Sequence, residues 1–178
     1  SVQNFRDKIV ITLTYDVAQP AHKIEEFILQ KCNQLSTNCI DIIYLDCNNN
    51  ANVDVAPAIL MFKQLLHSGK INGAGLSNAS LEQIEYANRI LPLSIVRSDY
   101  NSLSEKLFDR ELTTICKNSG IVLSVHTDLS EYANFSSDQL EIVSKIAKKY
   151  CFTLEKVISI WMVSQGIIPC IDITDPDC

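Results

Sequence analysis

The segment HSGKINGAGLSNASLEQIE, residues His67 to Glu85, decides the fold. It reads as a helix closed by Gly69, a short strand from Lys70 to Leu76, and a helix opening near Asn78 or Ser80. Glycine after a last helical turn adopts the left-handed conformation that caps it. Ser80 with Gln83 three residues on forms the reciprocal pattern that satisfies free N–H groups at a helix start. Helix, buried strand, helix is one turn of an α/β winding.

The same grammar repeats on both sides. Short, β-branched, nearly continuous apolar runs occur at Ile9–Thr12, Ile40–Leu45, Ile71–Leu76, Leu93–Val96, Ile121–Val125 and Ile167–Ile171. Such runs fit parallel strands covered on both faces. Between them lie helical stripes: Ile24, Phe27, Ile28, Cys32 and Leu35, then Ile59, Phe62, Leu65 and Leu66, then Leu107, Leu112, Ile115 and Cys116. Two more follow the fifth run, through Leu140, Val143, Ile146 and Ala147 and through Leu154, Val157, Ile158, Trp161 and Met162. Trp161 on its stripe reads as a core residue. Gly69, Gly120 and Gly166 fall between a helix and a strand. A serial β/α chain of this kind predicts an α/β fold. A closed (β/α) barrel has eight strands. Six are visible, so two lie outside this sequence, or the barrel is open, or a partner covers its edges.

The chain has 178 residues, 47% of them hydrophobic, and a net charge of -6. That length suits one domain with a good core. The acidic balance argues against nucleic acid as a partner. No apolar run approaches the roughly 20 residues that span a bilayer, and Ser1 opens no signal peptide, so membrane association is not expected. The seven cysteines are odd in number and without CxxC spacing. They predict reduced thiols in a cytoplasmic protein and no metal site. Gly73-Ala-Gly75 sits inside a strand, where close backbone packing explains it better than a dinucleotide loop.

Six segments, in order, resemble the aldo-keto reductase superfamily. His67–Asn78 is similar to its "SGKIRAIGVSN", and Arg6–Thr12 looks like its second strand. Asn38–Asp46 is similar to its third strand and Val96–Asn101 to "VQNEYN". Ser119–Val125 resembles "GIGLVAYSP", and Ile146 through Trp161 to Pro169 resembles "IAEKYG…ALRWLL…GVIPIP". The resemblance runs from about Arg6 to Ile171 and implies a TIM-type (β/α) barrel.

Active members reduce carbonyls with NADPH, using a Tyr proton donor tuned by Lys and Asp and a His that orients the carbonyl. The family's Tyr and Asp lie on segments before the matched part. Its Lys position corresponds to Leu13, at the end of a strand, and its His position to Asp46. A carboxylate there opposes developing oxyanion charge. Ser77 and Asn78 match the pair that holds the nicotinamide carboxamide. The expected Gln is Arg97, the stacking aromatic is His126, and the 2′-phosphate region begins at Asp172 and is acidic.

His126-Thr-Asp128 follows the fifth strand and resembles the "THND" of the glutamate–cysteine ligase regulatory subunit, a non-catalytic superfamily member. A His and an Asp so spaced also suit proton transfer or half a metal site, though a hydrogen-bonded loop accounts for them. Cys47, after Asp46, is a barrel-mouth candidate that reads as a partly buried structural thiol or an exposed one. The polar loop from Asn48 to Asp54 reads as a solvated turn. The leading expectation is therefore a non-catalytic regulatory subunit without cofactor, with a ligase catalytic chain as partner. The alternative is a divergent NADPH-dependent reductase of small carbonyls. A redox scaffold using Cys47 or Cys178 ranks third.

Overall fold

In the computed structural model, residues 6–100, 110–127 and 136–170 are described. Strands and helices alternate: β1 (Thr12–Asp16), α1 (Ile24–Leu35), β2 (Ile40–Asp46), α2 (Ala56–His67), β3 (Ile71–Ser77), α3 (Leu81–Ile90), β4 (Ile95–Tyr100), α4 (Arg110–Ser119), β5 (Val122–Thr127), α5 (Ser137–Tyr150), α6 (Leu154–Ser164) and β6 (Ile167–Cys170). The chain forms two compact units, Ser1–Val96 and Arg97–Cys178.

In the first unit β1, β2 and β3 lie side by side and parallel. Their register pairs Thr12 with Ile42 and Ile42 with Gly73, and continues to Asp16 opposite Asp46 and Asp46 opposite Ser77. Ser94 N donates to Ala74 O at 2.9 Å, which brings the start of β4 beside β3. Gly75 is required there, because a Cβ would sit 2.3 Å from the Ile95 carbonyl oxygen. Ile28, Ile43, Leu45, Ile59, Phe62 and Ile84 are fully buried between sheet and helices. In the second unit β5 and β6 are parallel, with Leu123 opposite Ile167 and His126 opposite Cys170. Val125, Ile158, Met162 and Ile167 are buried there.

The predicted caps are present. Ser80 Oγ accepts from Gln83 N at 3.2 Å, and Gln83 Oε1 accepts from Ser80 N at 2.9 Å. Gly69, Gly120 and Gly166 adopt φ of +68°, +67° and +77° in open space, the left-handed geometry expected after a helix.

Three expectations need correction. The first apolar run precedes its strand: Ile9 and Val10 are exposed, and β1 starts at Thr12. The reason is Asp41, whose Oδ2 accepts from Ile11 N at 2.8 Å, while Arg6 Nη1 lies 2.7 Å from that oxygen. Arg6 holds the Asp41 carboxyl below its ordinary range, chiefly by this hydrogen-bonded contact. Trp161 is 37% exposed, since α6 packs through Ile158 and Met162. His126 lies within β5, not after it. Among the described residues no helix is long and apolar enough to cross a membrane.

Candidate functional site

Parallel strands end together, and the residues just past their C-terminal ends are where α/β folds gather chemistry. In the first unit this row is Asp16, Asp46 and Ser77, in direct register. The backbone pairing continues one step beyond the strands. Val17 N donates to Asp46 O at 3.0 Å, Cys47 N to Ser77 O at 2.8 Å, and Asn49 N to Asn78 O at 3.0 Å.

Side chains tie the row together. Asn48 N donates to Asp46 Oδ1 at 2.9 Å, and its Nδ2 donates to Asp16 Oδ1 at 2.9 Å. Ala18 N donates to the same Asp16 oxygen at 2.8 Å. Asn78 Nδ2 donates to Asp46 Oδ1 at 3.3 Å. The result is a polar strap, Asp16–Asn48–Asp46–Asn78, across three strand ends. Asn48, Asn49 and Asn78 have φ of 51°, 56° and 53°. Asparagine tolerates this conformation better than most residues, because its short amide bonds to nearby backbone.

Gln83 fixes the loop beneath the strap. It is buried, and its Nε2 donates to Asn50 O and to Val53 O, both at 3.0 Å. One side chain thus caps α3 and anchors the β2–α2 loop. The run from Asn48 to Asp54 is therefore a held loop, not merely a solvated turn.

Ser77 is fully buried and Asn78 half-buried, and strand register sets them beside Asp46. Leu13 does not end its strand. It faces Ile43, which faces Ala74, and the residue at the strand end is Asp16. Neither Leu13 nor Asp16 replaces a lysine's charge. Cys47 is fully buried, and its thiol is pushed up to about 12 by burial and then by Asp46. It is not an exposed nucleophile, because the reactive species is the thiolate. In the second unit, half-buried Arg97 lies on β4 and half-buried His126 on β5. Asp128, Asp172 and Cys178 lie outside the described residues. Sequence reasoning missed Asp16 and Asn48 and saw Gln83 only as a cap. An Asp at the end of each of two successive strands was the available signal.

Chemically the row offers two carboxylates held by uncharged donors, with the half-buried Asn78 amide at one end and the Ser77 side chain buried beneath it. It favours a neutral amide or a cationic ring over an anion.

The model of the aldo/keto reductase family matches residues 3–176. The chain is 25% identical over 198 residues to "Probable aldo-keto reductase 1" of Glycine max, covering 90% of this chain and 57% of that protein. Among solved structures, the thermostable aldo-keto reductase Tm1743 in complex with the inhibitor epalrestat gives a TM-score of 0.85 at 15% identity, covering 99% of this chain and 65% of that one. The NADPH complex of the aldo-keto reductase AKR2E5, an enzyme of the silkworm Bombyx mori, gives 0.76 at 17% identity, covering 97% and 60%. The chain thus spans 57% of the curated relative. It belongs to the aldo/keto reductase family, and its fold is the α/β, TIM-type (β/α) kind expected from the sequence.

Proposed function

We propose that this member of the aldo/keto reductase family works in the nicotinamide-dinucleotide-dependent reduction of small carbonyl compounds, as a divergent reductase. The observation that carries the reading is the Ser77–Asn78 pair at the C-terminal end of β3, with Asn78 fixed at φ 53° beside Asp46. A hydroxyl and an amide suit the carboxamide of a nicotinamide, which both donates and accepts hydrogen bonds. The complex of AKR2E5 with NADPH supports that choice of cofactor. When bound, the dinucleotide supplies the hydride. The chain's own residues hold and orient: Gln83 fixes the loop, and Asn48 and Asn78 fix the two carboxylates. Those carboxylates favour the positively charged oxidised ring over the neutral reduced one. The test is NADPH fluorescence quenching, followed by cofactor oxidation with small aldehydes and α-dicarbonyls. Saturable quenching with carbonyl-dependent oxidation supports the reading, and no quenching refutes it.

One observation favours a second reading. Asp46 stands where the resemblance puts the carbonyl-orienting His, and neither Leu13 nor Asp16 supplies the Lys. In this reading the chain is a non-catalytic, cytoplasmic regulatory subunit binding a glutamate–cysteine ligase catalytic chain in glutathione biosynthesis. Binding measured with purified ligase catalytic chain tests it. Stoichiometric association without carbonyl turnover supports it, and absence of association rules it out.

A further inference from the structure

α5 and α6 leave much of their apolar surface in water. Ile142, Ile146 and Tyr150 recur at every fourth position of α5 and are 59%, 40% and 56% exposed. That spacing puts them on one helix face. The buried residue of α5 is Ala147, and those of α6 are Ile158 and Met162. Ile146, Tyr150, Phe152, Val157 and Ile160 together line a groove of about 240 Å³. The Tyr150 and Phe152 rings stack along it, with centroids 6.2 Å apart. Single exposed apolar residues are ordinary, whereas a contiguous strip marks a contact surface.

The border of this groove is basic, although the chain carries -6 overall. Lys156 Nζ lies 4.4 Å from the Phe152 ring centroid, and Lys149 Nζ lies 5.3 Å from that of Tyr150. Both ammonium groups are held over the aromatic wall by attraction to the ring face. Glu141, on the same helix, is paired with Lys145.

We propose that the α5–α6 groove docks an amphipathic helix of a partner protein, with an apolar stripe flanked by Asp or Glu. Apolar anchors at helical spacing enter between Ile146 and Ile160, and the flanking carboxylates meet Lys149 and Lys156. A groove between two helices accepts a convex helical stripe, the usual geometry of helix-in-groove recognition. From Ile142 to Tyr150 the rise is about 12 Å, so the site takes two to three turns of partner helix. Pairing of two copies through this groove sets lysine against lysine, which opposes self-association here. The inference does not depend on cofactor binding.

The probe is a fluorescein-labelled, lactam-stapled 14-residue helix with Leu at helical spacing and Glu on both flanks. A twin peptide carries Lys in place of Glu. In fluorescence anisotropy the Glu peptide is expected to bind in the micromolar range and the Lys peptide at least about tenfold more weakly. Ile146→Asp, at an exposed position, abolishes binding with the far-UV circular dichroism unchanged. The double variant Lys149→Glu, Lys156→Glu reverses the preference, which a folding defect cannot mimic. Four results overturn the proposal: no binding, equal binding of the two peptides, binding only to phosphatidylserine vesicles, or a sedimenting dimer that Ile146→Asp dissociates.

Discussion

Replacing Gln83 with Leu tests whether one buried amide organises the strand ends. Leu keeps the bulk and removes every polar contact. The two bonds from Nε2, to Asn50 O and Val53 O at 3.0 Å, disappear, and so does the bond from Ser80 N to Oε1 at 2.9 Å. A net hydrogen bond contributes about 1 kcal/mol, and the loop carbonyls are close enough to solvent to recover part of the loss. Losing half of the capping box adds roughly 0.5 to 1 kcal/mol. The expected destabilisation is about 2 kcal/mol, a fall of roughly 4 to 8 °C in Tm for a chain of this size. Gln83→Glu sets a carboxylate against two carbonyl oxygens, so it destabilises more than Leu at neutral pH and recovers on acidification. Urea unfolding followed by circular dichroism gives the global value. Hydrogen exchange at the amides of Cys47, Asn49 and Asn50 gives the local one, and those amides exchange faster in both variants. A Leu variant within about 0.5 kcal/mol of the parent, with unchanged exchange there, contradicts this role for Gln83.

Four further outcomes follow from the same geometry. Gly75→Ala forces a Cβ to within 2.3 Å of the Ile95 carbonyl oxygen, so it destabilises by about 3 kcal/mol or more, whereas Gly69→Ala costs only about 1 kcal/mol; urea midpoints compare them. Phe62→Ala, at a fully buried site on α2, costs about 3 to 5 kcal/mol in the same assay. Burial raises the Cys47 thiol from 9.0 to about 12 and the Cys116 thiol from 9.0 to about 11, so the folded chain keeps protons that the unfolded chain releases. Stability is then full below pH 9.0 and falls as the pH rises toward 12, by up to about 1.4 kcal/mol per pH unit for each thiol, and Cys47→Ala flattens the fall. Asp46→Asn removes one negative charge from the strand-end row that is proposed to face the nicotinamide, so the ratio of NADP⁺ to NADPH affinity drops in the variant. Equal ratios in parent and variant contradict that electrostatic argument.

Much of the fold was legible because its signals are local. The capping pair Ser80 and Gln83, the left-handed glycines and the β-branched runs each act within a few residues, and among the described residues the alternating order of strands and helices they announced is present. The start of β1 was not legible, because Asp41, thirty residues away from Ile11, decides it through space. Trp161 misled because helical periodicity shows that a face exists without showing how wide the buried part is. In the strand-end row, Ser77, Asn78 and Asp46 were singled out through resemblance. Asp16 and Asn48 were hidden because their importance comes from strand register, which places Asp16 opposite Asp46 and lets Asn48 reach both. Gln83 was seen in one of its two roles, since the second depends on a loop 30 residues away.

The most direct measurement is a titration of the folded chain with NADPH, read by quenching of the cofactor's own fluorescence. Parallel titrations use Ser77→Ala and Asn78→Ala. Saturable binding by the parent chain is expected, with at least about tenfold weaker binding by the Asn78 variant, the loss of one or two well-placed hydrogen bonds. An unchanged signal up to millimolar NADPH, or variants that bind as well as the parent, contradicts this expectation.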